Sequence, residues 1–471
     1  MSAADLAALA VPCVLLMLAV TVLIADVVPE SGSRRGIGAF VVAGLVVLLG
    51  ASFYLPMGPA FGGVYVRDAF TALVERLLLL TGVLATLGSI DHADRRFPGR
   101  QGEYYLLLLS SLSGMTLLAG ARELVLMVVS FELMGVPLYV LAAMHKDQRR
   151  GVEGSVKLYL TGAVSAAVTM YGLSFLVGAA GSTQYETLAA TPSSPYLVVG
   201  LLLTLVGMAY KVGAVPFHLW VPDTYEAAPA PFVAFLSVAP KIAGFAALSR
   251  LLLTAMPNHQ PLWAMLLLIA ALLSMILGNL LAIPQSNVRR LLAYSGIGHV
   301  GLLLVALMVG QADTIGTMLF YLLTYIGANM GAFFVADLAG AGAGEALPDW
   351  AGLARRNPGL ALAMLMCLLS LGGIPFVAGF WGKMLLFWSL WQAGYTWIVL
   401  LGATLAVVGL FYYMRVARSM YMEPAKDERP VAVPVASAWA IGLSVALIII
   451  IGIYPRPFLD AAALAGAALL R

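Results

Sequence analysis

Lys157, Lys211, Lys241 and Lys383 each lie inside, or at the edge of, a long apolar run in a chain of which only 10% of residues are charged. A lysine at the centre of a bilayer costs roughly 2.5–3.5 kcal/mol on insertion scales, so it persists only where it faces protein, a partner or water. Apolar surroundings disfavour the charged form of an amine, which lets such a lysine exchange a proton near neutral pH. A row of them has the chemistry of proton translocation. Glu132, within the apolar stretch 129–137, adds a carboxylate whose natural partner is an intramembrane lysine, Lys211 above all. The pair reads either as a lock between two helices or as a switch, in which approach and withdrawal of Glu132 change how firmly Lys211 holds its proton. Buried ion pairs are weak evidence for stability, which favours the switch.

Other residues extend the row. Lys241 follows Pro240, and the kink there is expected to expose carbonyls that solvate an ammonium or order water. His218 and His299 read as relays near pH 7 or as hydrogen-bonded packing residues. Glu153 and Lys157 stand four apart on one helix face, as a relay or as a pair at the mouth of the membrane. Glu75 and Arg76 read as an interfacial pair without a role.

The elements that carry these residues are membrane spans. The chain has 471 residues, 62% hydrophobic, with a mean hydropathy of +0.96, the composition of a polytopic membrane protein. With about 20 apolar residues per span, charges, prolines and glycines divide it into about 14 transmembrane helices. They are 7–28, 37–56, 68–90, 103–119, 123–144, 153–179, 196–220, 230–255, 261–283, 288–309, 314–338, 359–390, 395–421 and 433–453. The first is too long for a signal-peptide core and lacks a basic start, so it reads as a retained helix. The stretch 339–358, rich in Gly and Ala, reads as a plain connector.

Two spans carry the same punctuation. Gly213-Ala-Val-Pro216-Phe217 interrupts the seventh, and Gly373-Ile-Pro375-Phe376, preceded by Gly372, interrupts the twelfth. Proline removes a backbone donor and glycine loosens the helix. Matching breaks in two halves point to an inverted-repeat transporter with sites near the midplane. Lys211 precedes the first break and Lys383 follows the second.

Orientation follows from loop cations. One side carries Arg34, Arg35, Arg95, Arg96, Arg100, Lys146, Arg149, Arg150, Arg289, Arg290, Arg355, Arg356, Arg415, Arg418, Lys426 and Arg429. The other carries only Arg67, Arg122, Arg250, Arg456 and Arg471. The richer side is expected to be cytoplasmic, with both termini on the opposite face.

Several functions are excluded. A net charge of +3, scattered along the chain, does not suit nucleic acid. Cys13 and Cys367 cannot supply an iron–sulfur cluster or a zinc site. Gly296-Ile-Gly298-His-Val-Gly301 fits G-x-G-x-x-G but lies in an apolar helix with no preceding strand, so it is no nucleotide site. The chain is expected to carry no redox cofactor and to hydrolyse no nucleotide.

The stretch 212–229, with His218, Asp223, Glu226 and Pro229, followed by Phe235-Leu-Ser-Val-Ala-Pro-Lys241, resembles the subunit N family of proton-pumping NADH-quinone oxidoreductase, respiratory complex I. Arg290-Leu-Leu-Ala-Tyr-Ser295-Gly-Ile-Gly-His299 and Gly373-Ile-Pro-Phe-Val-Ala-Gly-Phe-Trp-Gly-Lys383 resemble the wider antiporter-like family. The resemblance implies 14 helices with two inverted five-helix repeats, 103–255 and 261–421, after N-terminal helices in 1–102 and before a final helix and C-terminus in 433–471, all one integral membrane domain. It implies that Glu132 and Lys211 are the coupling ion pair, Lys241 the central lysine and Lys383 the terminal lysine of the second half-channel. Glu153, Lys157 and His218 match accessory relay positions, and Tyr412 a tyrosine near the exit. FMN and iron–sulfur clusters, NADH and quinone would belong to partner subunits, in a bacterial inner membrane. A subunit of a multisubunit cation/proton antiporter or of an ion-translocating hydrogenase is the competing reading.

Overall fold

In hydrocarbon only helices and closed barrels satisfy every backbone group, and the apolar runs here are continuous rather than alternating. The computed structural model of the chain is accordingly a helical bundle; it describes residues 3–27, 35–144, 149–343, 345–425 and 429–470. Of the cations that set the expected orientation, Arg34, Lys146, Lys426 and Arg471, with the side chains of Arg35, Arg149 and Arg150, lie outside the described residues.

The first half of the chain forms α1 (Ala3–Ala8), α2 (Ala10–Val27), α3 (Arg35–Ala51), α4 (Ala69–Arg96), α5 (Gln101–Gly120), α6 (Leu124–Ala142) and α7 (Arg149–Ala180). There follow α8 (Tyr185–Ala190), α9 (Pro195–Val212), α10 (Trp220–Ala227), α11 (Ala230–Leu236) and α12 (Ala239–Arg250). The second half forms α13 (Gln260–Ala282), α14 (Val288–Val309), α15 (Ala312–Ala343), α16 (Leu353–Arg356), α17 (Pro358–Gly372), α18 (Ala378–Gln392), α19 (Thr396–Met422), α20 (Val435–Ile453) and α21 (Arg456–Leu469). Among the described residues, eleven helical stretches are long and apolar enough to cross a membrane, with two shorter apolar helices, Gly36–Ala51 and Pro358–Gly372, beside them. Polar residues at the loop edges start the spans. The side chains of Asp68, Glu123, Ser194, Asn287 and Asn357 accept the first free N–H groups of α4, α6, α9, α14 and α17.

The connections gather at two ends. At one, a small antiparallel hairpin, β1 (Gly58–Ala60) and β2 (Tyr65–Arg67), meets the α5–α6 turn through Arg122 N–H to Val64 O. Leu124 N–H bonds Thr183 O, and Asn258 bonds Ala189 O. At the other, Leu347 N–H bonds Ser286 O, Gly352 N–H bonds Ser419 O, and Asn357 bonds Val431 O. The second end holds Arg289, Arg290, Arg355 and Arg356. Both described termini belong to the hairpin end: Asp5 accepts the Phe61 N–H at 2.9 Å, and Leu464 and Ala468 of α21 flank a groove with Met57 and Val66.

The core runs through α4, α11–α12, α14 and α15, whose apolar windows are 78–100% buried. Peripheral helices expose large apolar side chains such as Val164, Met265 and Val407, as a lipid-facing or subunit-facing surface does.

Four expectations change. The eighth run is not one helix: Val238 leaves helical geometry (φ −123°, ψ −58°), Pro240 lacks the N–H to continue the ladder, and Leu251–Ala255 is a π turn. The stretch 339–358 is more than a connector. There α15 extends to Ala343, Leu347–Trp350 forms a 3-10 turn, and Glu345 pairs with Arg289 at 2.5 Å. The final span is followed by α21, a short helix that buries Ala462, Ala465 and Gly466 against the bundle. Its alanine-rich sequence is too weakly apolar to mark a span. Glu75, finally, pairs with Arg67 at 2.9 Å and not with Arg76, because the hairpin folds Arg67 over α4; Arg76 instead bonds Ser52 O.

Candidate functional site

Both broken spans end their first half in the same way. In α9, Gly213 takes φ 74°, its N–H bonds Tyr210 O, and Ala214 N–H bonds Ala209 O. In α17, Gly373 takes φ 82°, its N–H bonds Ser370 O, and Ile374 N–H bonds Leu369 O. This is the Schellman arrangement, which needs a left-handed residue and so favours glycine. Pro216 and Pro375 follow within the breaks. The half-helix α9 enters from the hairpin end and α17 from the arginine-rich end, so the shared motif is traversed in opposite directions.

Lys211 sits in the last turn of α9, buried. Its Nζ donates to Tyr139 Oη at 3.3 Å. Glu132, half-buried on α6, makes no ion pair with it within 4.0 Å; the two line one cavity of about 20 Å³ with Ser165 and Thr169. That volume holds about one water molecule. Gly135 gives the lysine its berth, since a Cβ there would stand 2.5 Å from Nζ. His218 lies in the break itself, its Nδ1 buried without a protein partner.

Lys241, on α12, donates to Gly296 O at 3.2 Å and to Tyr325 Oη at 3.3 Å. Its acceptors therefore come from α14 and α15, not from the carbonyls of its own kink as the Pro240 pattern suggested. The glycines of the rejected G-x-G-x-x-G are packing positions: a Cβ on Gly296 would meet Lys241 Nζ at 2.8 Å, and one on Gly301 would meet Ala271 O at 2.7 Å.

His299 stands next along the row. Its Nδ1 lies 2.5 Å from Tyr321 Oη and its Nε2 3.2 Å from Tyr413 Oη, which also contacts Ser295. A second cavity of about 20 Å³ joins His299 to Lys383, Tyr412 and Asn279. Tyr412 donates to Asn279 Oδ1 at 3.0 Å. Lys383, on α18, donates to Leu371 O at 2.7 Å and Gly372 O at 3.1 Å, the free carbonyls at the end of α17.

Lys157 differs from the other three lysines. Its side chain is 45% exposed and bonds Glu153 and Asp223, each at 2.9 Å. Arg290 continues the network to Asp223 at 2.8 Å and Glu226 at 3.0 Å. Partial burial alone would raise the Asp223 carboxyl, but hydrogen bonds and charge from Lys157 and Arg290 outweigh it and hold the carboxyl below its ordinary value. These groups line a vestibule of about 930 Å³ at the arginine-rich end, together with His92, Asp337 and Glu345.

Sequence reasoning did not single out Tyr139, Tyr321, Tyr325, Tyr413 or the Asp223–Arg290–Glu226 network as site residues. Tyr321 and Tyr325 stand four apart in an otherwise apolar run, a signal that helical periodicity could have given. Asp223 and Arg290 are far apart in sequence, and only the fold joins them. Among the described residues there is no group of three or more His, Cys, Asp or Glu that could hold a metal ion.

A polytopic helical protein with two oppositely directed broken helices and buried lysines beside them is antiporter-like in class. The model of the family described as NADH:quinone oxidoreductase/Mrp antiporter, TM, matches residues 121–409. NADH-quinone oxidoreductase subunit N of Moorella thermoacetica is 41% identical over 438 residues, covering 91% of each chain. A chain of respiratory complex I from Thermus thermophilus with bound Aureothin superposes with a TM-score of 0.81 at 32% identity, over 96% of this chain and 99% of that one. A chain of the Mrp complex from Dietzia sp. shares the fold, with a TM-score of 0.89 at 18% identity over 100% and 98% of the two chains. The chain belongs to the NADH:quinone oxidoreductase/Mrp antiporter family, and within it to the subunit N proteins of NADH-quinone oxidoreductase.

Proposed function

We propose that this chain is a proton-translocating membrane-arm subunit of NADH-quinone oxidoreductase, with Lys211, Lys241 and Lys383 as its proton sites. The carrying observation is that each of these lysines is buried, each has hydroxyl or carbonyl acceptors, and each stands at or near a discontinuity in a helix. Tyrosine and histidine fill the space between Lys241 and Lys383, and cavities of one-water size lie at Glu132–Lys211 and at His299–Lys383. A proton can thus be handed along a line of hydroxyl, imidazole, amine and water. No residue on the chain changes redox state. Oxidation of NADH on FMN and iron–sulfur centres, and quinone reduction, belong to partner subunits, whose conformational changes move Glu132 relative to Lys211. Glu153, Lys157 and His218 serve as accessory relays, and Tyr412 lies toward the exit.

The reading carries a topology of fourteen crossings in a bacterial inner membrane, with inverted five-helix units 103–255 and 261–421. The arginine-rich end faces the cytoplasm and both termini face away from it. The opposite directions of α9 and α17 support the inversion, and the placing of both described termini at one end supports an even number of crossings. A reporter fused at the C-terminus that reads cytoplasmic overturns the orientation.

A subunit of a cation/proton antiporter would have the same fold. The relatives named for subunit N favour the oxidoreductase. Purification of the tagged chain from its native membrane decides: NADH-quinone reductase activity in the isolated complex supports the reading, and its absence from an intact, multi-subunit preparation overturns it.

A further inference from the structure

One ridge of α15 joins the vestibule to the central lysine. Asp337 lines the vestibule, Tyr325 touches Lys241 and Tyr321 touches His299. Between them stand Phe333 and Asn329, both fully buried. These five residues recur at every fourth position, so each neighbours the next along one ridge that winds around the helix. Across from them, Asn329 Nδ2 donates to Ser237 Oγ at 2.6 Å, one turn from the Lys241–Tyr325 contact on the same two facing spans. The ring of Tyr225 meets Phe333 edge-on at 5.7 Å between centroids, and the backbone oxygen of Tyr225 accepts from Arg289 at the vestibule rim.

Two polar atoms in this stretch, Tyr225 Oη and Asn329 Oδ1, are buried without a protein partner. Asn329 Nδ2 donates to the Ser237 hydroxyl, which in turn donates to Ala234 O, and Oδ1 is the amide atom left over. Buried polar groups are ordinarily satisfied by protein or by ordered water. Phe333 has nothing to offer a proton, and it occupies the one position of the five between the vestibule and Asn329.

We propose that this ridge is the inlet by which protons reach Lys241: Asp337 takes them from the vestibule, Phe333 and the ring of Tyr225 close its floor, and water held by Tyr225 Oη and Asn329 Oδ1 completes the path when Phe333 turns aside. The proposal rests on the proton-translocating reading above. A proton leaves a vestibule hydronium for the Asp337 carboxylate, passes to water, and ends on the neutral Lys241 amine. Asn329 is a positioning residue that orients water and carries no proton itself.

The test uses the whole complex in inverted native-membrane vesicles. Asn329→Leu keeps the branched heavy-atom shape and removes the water-binding oxygen; Tyr225→Phe removes only the hydroxyl. Both are expected to assemble, to slow NADH-driven proton uptake several-fold and to enlarge the solvent deuterium isotope effect, with Asn329→Ser partly restoring both. Parental uptake and isotope effect in assembled Asn329→Leu and Tyr225→Phe complexes overturn the inlet. Should those variants fail to assemble, thiol labelling decides. In a Cys13→Ser, Cys367→Ala background, Asn329→Cys is expected to react with a small thiol reagent from the vestibule side faster once Phe333→Ala is added; equal rates, or no reaction in either, overturn the inlet. Lys241→Ala is measured in parallel: full pumping there sinks the proton-translocating reading itself, whereas its loss beside parental Asn329→Leu and Tyr225→Phe sinks the inlet alone.

Discussion

The Lys383 amine donates to the carbonyl oxygen of Leu371 at 2.7 Å, across the break in its own span. With Gly372 O at 3.1 Å it satisfies carbonyls that the end of α17 would leave bare in a buried setting. Lys383 is thus both a cap and a proton site, and the two roles separate by substitution. Lys383→Arg keeps a cationic donor but cannot release a proton at accessible pH. It is expected to preserve assembly while pumping falls on the order of 100-fold, within the usual contribution of a positioned acid–base group. Lys383→Ala is expected to lose both. Native gels and proton uptake in vesicles read the two effects, and parental pumping by Lys383→Arg rejects the carrier role.

Glu132 shares a cavity with Lys211 without touching it. A pair that merely locked helices would be in contact. Glu132→Gln is therefore expected to leave the complex assembled and lower its pumping several-fold. Normal pumping by the assembled variant contradicts the switch.

Arg67 and Glu75 make the opposite case. Both side chains are fully buried, 2.9 Å apart, and Arg67 also bonds Leu55 O and Ser52 O. Removing one partner from such a pair costs about 3–5 kcal/mol, because the other charge is stranded. Glu75→Ala is expected to lower the thermal stability of the complex sharply and to leave the pumping of whatever assembles unchanged. Differential scanning of the purified complex checks the first, and an unshifted transition refutes the structural role.

Asp223 ties α7 to α10 and α14 through Lys157 and Arg290. Its carboxyl is held below the ordinary 3.8, so the stability it contributes is complete above that value and is lost as pH falls through the lower, folded-state value. The tie is expected to hold unchanged from neutral pH to about 5 and to weaken only below about 4. Asp223→Asn is expected to lower stability at neutral pH and to flatten the acid limb of the stability profile; identical acid limbs in parent and variant contradict the assignment.

Three buried lysines and both broken helices were legible in the sequence, because bilayer length and the cost of an intramembrane charge act on local pattern. The glycine–proline punctuation was equally local, and it marked both Schellman ends correctly. What was hidden depends on contacts between distant segments. Nothing near Glu75 says that a hairpin will bring Arg67 over it, and nothing near Pro240 says that Lys241 will turn to Gly296 and Tyr325 rather than to its own kink. Lys157 read with Glu153 either as a relay or as a pair at the membrane mouth, and the fold shows it half exposed at such a mouth. Tyr139, Tyr321, Tyr325 and Tyr413 were missed for another reason: a tyrosine in an apolar helix counts as core until its hydroxyl is seen to have a partner.

Lys241 is the central proton site of the row. Its amine is buried between Gly296 O and Tyr325 Oη. If protons pass along this row, Lys241→Ala breaks it, and Lys241→Arg fails nearly as badly because arginine keeps its proton. Coupled NADH oxidation slows as well, although no electron visits the chain. The decisive measurement is NADH-driven proton uptake in vesicles bearing assembled Lys241→Arg complex. Uptake is expected to fall close to the uncoupled background; uptake at the parental rate rules out proton transfer through Lys241 and leaves the lysine as a fixed charge.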